Sequence, residues 1–248
     1  MSVLLACRSL GKEHVSLSGS RFSALRGVSF EVERGQFLSV VGPSGSGKST
    51  LLNLIASVYS PSEGSVQFLD PPNPRIGYVL QADALFPWRT VRRNLSYTLD
   101  LRGAPRSESD AMAHRLCEQL GMAPENFLDK YPRELSGGEQ RRVAIGMAIA
   151  MEPDLLLLDE PGAQLDYEAK WAIQLLVQEL APRRGLTVIC VTHDLEEAVF
   201  LGDRVMMMRE GRVVDLIDIA LPRPRHNDMR TSGPFNGYRR RLMNREAT

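Results

Sequence analysis

The residues most able to do chemistry stand at 42–50, where the chain reads GPSGSGKST. A glycine-rich turn lets successive backbone N–H groups point inward, and a helix opening just after it adds the positive end of its dipole, so anionic oxygens are held by the main chain. The spacing fits G-x-x-x-x-G-K-[ST]. Gly42, Pro43, Ser44, Gly45, Ser46, Gly47, Lys48, Ser49 and Thr50 thus read as a cradle for the phosphates of a nucleotide such as ATP. Lys48 is placed to reach the β and γ phosphates, and Ser49 to hold Mg²⁺.

Other residues could share that work. Four leucines at 155–158 followed by Asp159 and Glu160 read as a buried parallel strand that delivers two carboxylates to the carboxyl edge of a sheet, where open α/β sheets bind ligands. Asp159 suits Mg²⁺, usually through water, and Glu160 can polarise an attacking water as general base. Gln81 closes the apolar run 76–80 and could accept from a water or offer its carbonyl to Mg²⁺. His193 sits just past the strand-like run 186–191, where an imidazole could hydrogen-bond a transferring oxygen or be purely structural, and Asp194 with Glu197 makes a simple cap for the next helix. LSGGEQ at 135–140 places Ser136 and Glu139 at capping-box spacing, with Gly137 and Gly138 bare of Cβ atoms. That turn is either an anion site or a cap closed on its own backbone. Asp166, just before a helical run from Tyr167, is a site residue or an N-cap. His14 or Phe22, in the stretch 14–22, offers a face for an adenine ring or serves only packing.

The elements that must position these groups follow from periodicity. Short β-branched runs at 3–10, 24–32 and 37–41, broken by Gly11, Gly27 and the turn at 33–36, predict a partly antiparallel sheet leading into the cradle. A helix comes next, with Leu51, Leu52, Leu54, Ile55 and Val58 as its apolar face, and then strands at 65–69 and 76–80. From 82 to 151 the pattern turns helical, with Ser107 and Asp110 opening one helix. Phe86 and Trp88 form an apolar knuckle there, suited to a partner's pocket or to the core of that region, whereas Trp171 is assigned to core. Residues 204–209 and 212–215 flank Glu210 and Gly211 as a hairpin. The expected organisation is an α/β core at 1–81 and 152–220, a helical insertion at 82–151 and an arginine-rich tail at 221–248. That tail reads as a solvated basic end or as a contact for anionic lipid.

Composition limits the uses of such a site. With 248 residues there is room for one nucleotide-binding core and a smaller subdomain, not for two complete cores. Lys+Arg and Asp+Glu both number 30, so there is no basic excess of the kind that marks a nucleic-acid binder. Cys7, Cys117 and Cys190 show no metal-ligand spacing and read as small core residues of a reducing cytosol. No apolar run approaches the ~18 residues of a membrane helix, and the first residues do not resemble a signal peptide, so a soluble, unexported chain is expected.

Taken in order, GPSGSGKST, Gln81, LSGGEQ, LLLLDE at 155–160, Leu165 with Asp166, and His193 resemble the ATP-binding subunits of ABC transporters over nearly the whole chain. The resemblance implies a P-loop NTPase fold with an N-terminal antiparallel β subdomain and an inserted helical subdomain. It implies that Lys48, Ser49, Thr50, Gln81, Asp159, Glu160 and His193 act on one nucleotide, while Ser136, Gly137 and Gly138 act on that of a second copy or paralogue. Two chains would close head to tail on two ATP. Gln81 would pass the motion to two permease subunits at the cytoplasmic face of the inner membrane, with a separate solute-binding protein outside. LQADALFPWRTVRRN at 80–94 and IDIALPRPR at 217–225 resemble importers of nitrate, sulfonates including taurine, and bicarbonate; relatives that import thiamine precursors, riboflavin or aromatic acids look similar there. PGAQLD at 161–166 departs from the family's usual PFGALD by a bulkier Gln164. The chain is too short for the regulatory domain of some sugar importers. A ribosome- or DNA-directed ATPase would need two such domains or a long coiled coil, and a non-hydrolysing scaffold would not need Glu160 and His193.

Overall fold

A computed structural model describes residues 2–15, 19–82 and 85–247. Parts of the stretches 14–22 and 80–94 (residues 16–18, Asp83 and Ala84), together with Met1 and Thr248, lie outside the described residues.

The strands are β1 (Val3–Val15), β2 (Arg21–Glu33), β3 (Phe37–Val41), β4 (Glu63–Phe68), β5 (Ile76–Val79), β6 (Leu155–Asp159), β7 (Thr187–Thr192), β8 (Arg204–Arg209) and β9 (Arg212–Asp218). They form two sheets, ordered β2-β1-β4 and β5-β6-β7-β3-β8-β9. The expected N-terminal antiparallel β subdomain is the β2-β1-β4 sheet, but the run 37–41, read together with 3–10 and 24–32 as one sheet leading into the cradle, is not part of it. β1, β2 and β4 pair antiparallel among themselves, while β3 lies inside the larger sheet between β7 and β8, parallel to both. Pairing partners far along the chain decide sheet membership, and local alternation does not reveal them. β1 and β2 also run through Gly11 and Gly27, because the ladder absorbs both as register shifts instead of ending there.

The large sheet is apolar on both faces, as parallel strands covered on each side must be. Leu156 and Leu158 of β6 join one core with Val41, Val188, Cys190 and Met207, and Leu155 and Leu157 join the other with Leu38, Val40, Ile189 and Met206. All four leucines are at most 2% exposed, each contributing about 1.5–3 kcal/mol over exposure. That anchoring sets Asp159 firmly at the strand's end. The second core is closed by α1 (Lys48–Ile55) and the antiparallel sheet.

The first core is covered by helices α2 (Val91–Leu95), α4 (Arg106–Gln119), α5 (Pro124–Phe127), α6 (Gly137–Ile149), α7 (Tyr167–Arg183), α8 (Leu195–Leu201) and α9 (Gly233–Ala247), and the short α3 (Tyr97–Leu101) lies between α2 and α4. Two local expectations fail. α1 stops at Ile55, Ser57 turns left-handed and Val58 is 59% exposed. α4 begins at Arg106 behind Pro105, whose fixed φ starts the helix, and Asp110 instead faces Arg93 at 3.5 Å. Trp171 packs on Phe200 at 5.0 Å, Phe86 packs on Tyr97 at 4.5 Å, and Trp88 is 72% exposed. The three cysteines are buried free thiols.

The segment after Leu221 is not the solvated end expected. Phe235 and Leu242 of α9 are fully buried. Arg225 is 1% exposed and donates to the carbonyls of Val199, Phe200 and Gly202, which α8 leaves unpaired at its end. Arg223 bridges to Asp203 at 2.7 Å, and Arg239 to Glu196 at 2.7 Å. Arg223, Arg225 and Arg239, read from composition as part of a charge run, are here taken up in capping and pairing, while Arg240 and Arg241 stay exposed.

Candidate active site

The sequence 42–49 turns sharply after β3 and opens α1 at Gly47, which sits at φ 98° and has no side-chain cap. A Cβ at Gly42 would lie 2.1 Å from the Met208 carbonyl oxygen, and one at Gly47 would lie 2.5 Å from that of Ala24. Only glycine lets the loop coil this tightly with its amides left to a ligand. The Lys48 ammonium folds back across the loop, donating to the carbonyls of Gly42 at 2.7 Å and Pro43 at 3.0 Å. The hairpin tip between β8 and β9 backs onto the same loop: the Gly211 amide donates to the Ser46 carbonyl at 3.2 Å, and its carbonyl accepts from the Arg26 amide at 2.8 Å.

In front of the loop lies a cleft of about 590 Å³, lined by Phe22, Ser23, Ala24, Ser44, Gly45, Gly47, Lys48, Ser49, Thr50, Gln81, Glu160 and His193. Residues from five separate stretches thus meet: four follow the ends of β3, β5, β6 and β7 at one edge of the large sheet, and the fifth is the start of β2 in the antiparallel sheet. At the floor, Ser49 Oγ donates to Asp159 Oδ1 at 3.1 Å. Burial raises the Asp159 pKa, with the Ser49 hydrogen bond opposing. A hydroxyl and a carboxylate oxygen side by side are hard oxygen donors of the kind that would hold a Mg²⁺ ion. At the rim, Glu160 Oε2 lies 3.4 Å from Gln81 Nε2 and 3.3 Å from His193 Nδ1. Glu160 stands at φ 47°, a left-handed conformation costly to a non-glycine residue and typical of functional turns. Its amide donates to the Val191 carbonyl at 2.9 Å, which ties the turn to β7.

Other expected residues fall elsewhere. His14 does not line the cleft; paired with Phe22 across β1 and β2, it stacks behind that ring at 5.4 Å. Ser136, Gly137 and Gly138 are also absent from the cleft's lining. Gly137 lines a second hollow of about 250 Å³ with Gln81, Gln140, Arg141, Gln164 and Leu165, so Gln81 lies between the two. Gly138 packs against α7, where a Cβ would come 2.8 Å from that of Ala169. Asp166 caps α7, accepting from the Ala169 amide at 2.8 Å. The exposed Gln164 takes a left-handed φ of 62°.

One group had no signature in the sequence, and another, Asp194, was expected only to cap the next helix, which it does by accepting from the Glu196 amide at 2.8 Å. Arg141 of α6 donates to the carbonyls of Leu80 at 2.6 Å and Gln81 at 2.8 Å, fixing the backbone that carries Gln81. Asp194 accepts from Lys170 at 2.6 Å; burial would lift its pKa, but Lys170 and the α8 amides hold it below the usual carboxylate value. The four-residue spacing of polar side chains along α7 was the one available hint.

A coiled loop aimed at phosphates, with a hydroxyl–carboxylate pair beneath and a second acid held at the rim, defines a P-loop nucleoside triphosphatase. The family described as ABC transporter matches residues 25–163. An uncharacterized ABC transporter ATP-binding protein of Methanocaldococcus jannaschii is 40% identical over 92% of this chain and 85% of its own length. A bicarbonate transport ATP-binding protein of Synechococcus elongatus is 38% identical over 91% of this chain but only 35% of its own length. A taurine import ATP-binding protein of Jannaschia sp. is 38% identical over 84% of this chain and 80% of its own. Among solved structures, a dimeric ATP-binding cassette in a post-hydrolysis state with ADP and Pi superposes with a TM-score of 0.78 at 32% identity, covering 88% of this chain and all of that one. The chain belongs to the ABC transporter family, as an ATP-binding protein and ATPase. No helix among the described residues is long and apolar enough to cross a membrane.

Proposed function

We propose that this chain is the ATP-hydrolysing motor of a binding-protein-dependent importer for a small anionic or zwitterionic solute: nitrate, a sulfonate such as taurine, or bicarbonate. One observation carries the motor assignment: Gln81 and His193 both converge on the Glu160 carboxylate at the mouth of the cleft, while Ser136, Gly137 and Gly138 of the same chain stay outside it. A site complete but for those residues suits a head-to-tail dimer, with two ATP held between one chain's cradle and the other's 136–138 turn. The second chain is an identical copy or a paralogue, and two permease subunits at the cytoplasmic face of the membrane are the other partners.

In this reading the amides of 42–49 and the Lys48 ammonium hold the β and γ phosphates. Phe22, rather than His14, presents its ring to the adenine at the cleft's edge. A Mg²⁺ ion would be held by Ser49, Asp159 and Gln81 and would neutralise charge on the phosphate oxygens. Glu160 accepts the proton of a water whose oxygen attacks the γ-phosphorus. The bond to the bridging oxygen breaks and its electron pair leaves with ADP. His193 donates to a γ-phosphate oxygen and Gln81 orients the water. Solute class is supported by the likeness of 80–94 and 217–225 to such importers and by the bicarbonate and taurine relatives.

The test is ATPase activity of the chain assembled with its permease subunits in liposomes, with the binding protein and a panel of nitrate, sulfonates, bicarbonate and aromatic acids. Stimulation by one of the first three, falling at least ~10²- to 10⁴-fold in Glu160→Gln with ATP binding intact, is the expected outcome. Robust hydrolysis unmoved by any of them would redirect the assignment to vitamin precursors; full turnover in Glu160→Gln would remove the general base from the mechanism.

A further inference from the structure

Helix α7 is largely apolar toward the core, yet Lys170, Gln174 and Gln178 stand four residues apart on one face. Each donates to the part of the chain that comes after β7. Lys170 Nζ reaches Asp194 Oδ2 at 2.6 Å, Gln174 Nε2 reaches Glu197 Oε1 at 3.1 Å, and Gln178 Nε2 reaches the Arg225 carbonyl at 2.8 Å. Glu197 is only 2% exposed and has no part in the chemistry described above. A buried carboxylate is costly unless its oxygens are occupied. Here its second oxygen accepts from Thr192 Oγ1 at 2.5 Å, and that hydroxyl in turn accepts from the Asp194 amide at 3.1 Å. Residues 192 and 194 are thus fastened to each other across His193. The turn after β6 lies against the same groups, since a Cβ at Gly162 would be 2.9 Å from Lys170 Cγ and 3.4 Å from Glu197 Oε1.

The line continues to the C-terminal segment. Gln174 Oε1 accepts from the Arg230 guanidinium, whose plane also lies over the rings of Trp171 at 4.6 Å and Phe200 at 4.7 Å. A guanidinium only donates and an ionised carboxylate only accepts, so the Gln174 amide between them has one orientation. Arg230, Gln174, Glu197 and Thr192 form a chain of fixed polarity ending beside His193.

We propose that Glu197 is a positioning residue for His193, and that Arg230 holds it in place through Gln174. The inference rests on the reading of His193 as a donor to the γ-phosphate. Glu197→Gln offers only one acceptor where two donors converge: its amide nitrogen faces either the Gln174 amide or the Thr192 hydroxyl, which then loses its acceptor, and flipping Gln174 to relieve the first clash turns its donors on Arg230. Gln174→Glu sets two carboxylates against each other. Both changes together reverse the polarity and restore every bond: the carboxylate introduced at 174 accepts from Arg230 and from the amide introduced at 197, whose oxygen accepts from Thr192.

ATPase kinetics, fluorescent-nucleotide binding and thermal melts of the full-length chain carry the test. Each single variant should lose about tenfold in kcat, with KM for ATP within about twofold, since neither residue touches nucleotide. The double variant should recover to within about threefold of wild type. In a His193→Ala background neither single change should lower kcat further, which a merely structural role would not produce. Wild-type turnover in both singles, losses that add to that of His193→Ala, or a double variant no better than the worse single would each overturn the relay. Full turnover in His193→Ala would overturn the role of His193 and the proposal together. A deficient His193→Ala beside unaffected singles sinks the relay alone.

Discussion

Helices α1 and α6 both open on glycine-bearing turns, and they treat their first amides in opposite ways. α1 begins at a left-handed Gly47 with no side chain to cap it. α6 begins at Ser136 in extended conformation, with its box closed: Ser136 Oγ accepts from the Glu139 amide at 3.3 Å, and the Ser136 amide donates to Glu139 Oε2 at 2.7 Å. Both ends carry the positive pole of a helix. One is left open, beside a buried carboxylate with a raised pKa, and folding gains nothing from it. The other satisfies itself and contributes to stability. A phosphate finds the first site prepared, whereas at the second it must compete with the chain's own glutamate.

The sharpest test of this contrast uses variants that disable one end each. Lys48→Ala and Ser136→Arg should each abolish hydrolysis in uniform dimers. If the α6 end serves the partner's nucleotide, mixing them equally should restore activity to about a quarter of wild type, because half the dimers are mixed and each has one intact site. No activity above the two parents would mean that the ends are not shared, or that both sites must fire together.

The next expected effect concerns stability near the open end. Burial holds the Asp159 pKa above its unfolded value, so its stabilising proton is present below the unfolded pKa and lost as pH rises through the folded one. At pH 7 the ionised group therefore works against folding. Asp159→Asn can still accept from Ser49, and should raise the melting temperature of the nucleotide-free chain at pH 7 while removing turnover. The gain should vanish as pH falls through the raised pKa. A lowered melting temperature at pH 7 would contradict that sign.

Ser136→Ala should give the smallest effect and the opposite sign, a loss of about 1 kcal/mol for a missing N-cap, measured by urea denaturation. No loss would show that the box at α6 is open in solution and erase the contrast.

The open end was legible from residue types alone, because only glycine permits its turns and because the lysine and hydroxyl come at set spacing. Asp159 and Glu160 were legible too, since four leucines cannot be solvated and must carry the two acids behind them to a sheet edge. The relay at Glu197 was not. With Asp194, Glu197 reads from the sequence only as a simple cap for the next helix, and its burial depends on Gln174 and Arg230, far along the chain. Arg225 was unreadable for the same reason: its partners are backbone carbonyls of α8, which carry no sequence signal. The place of β3 was only half legible: its unbroken apolar run, unlike the alternation of β2, marks a strand buried on both faces, but its neighbours β7 and β8 come from far along the chain.

The tip of the β8–β9 hairpin has a consequence for how this chain can vary. Hairpin tips are where proteins ordinarily accept extra residues, since nothing stands behind them. Here Gly211 is bonded to Ser46 on one side and Arg26 on the other. Its length is therefore dictated by the nucleotide loop at its back, and lineages free to lengthen other surface turns would have to leave this one as it is.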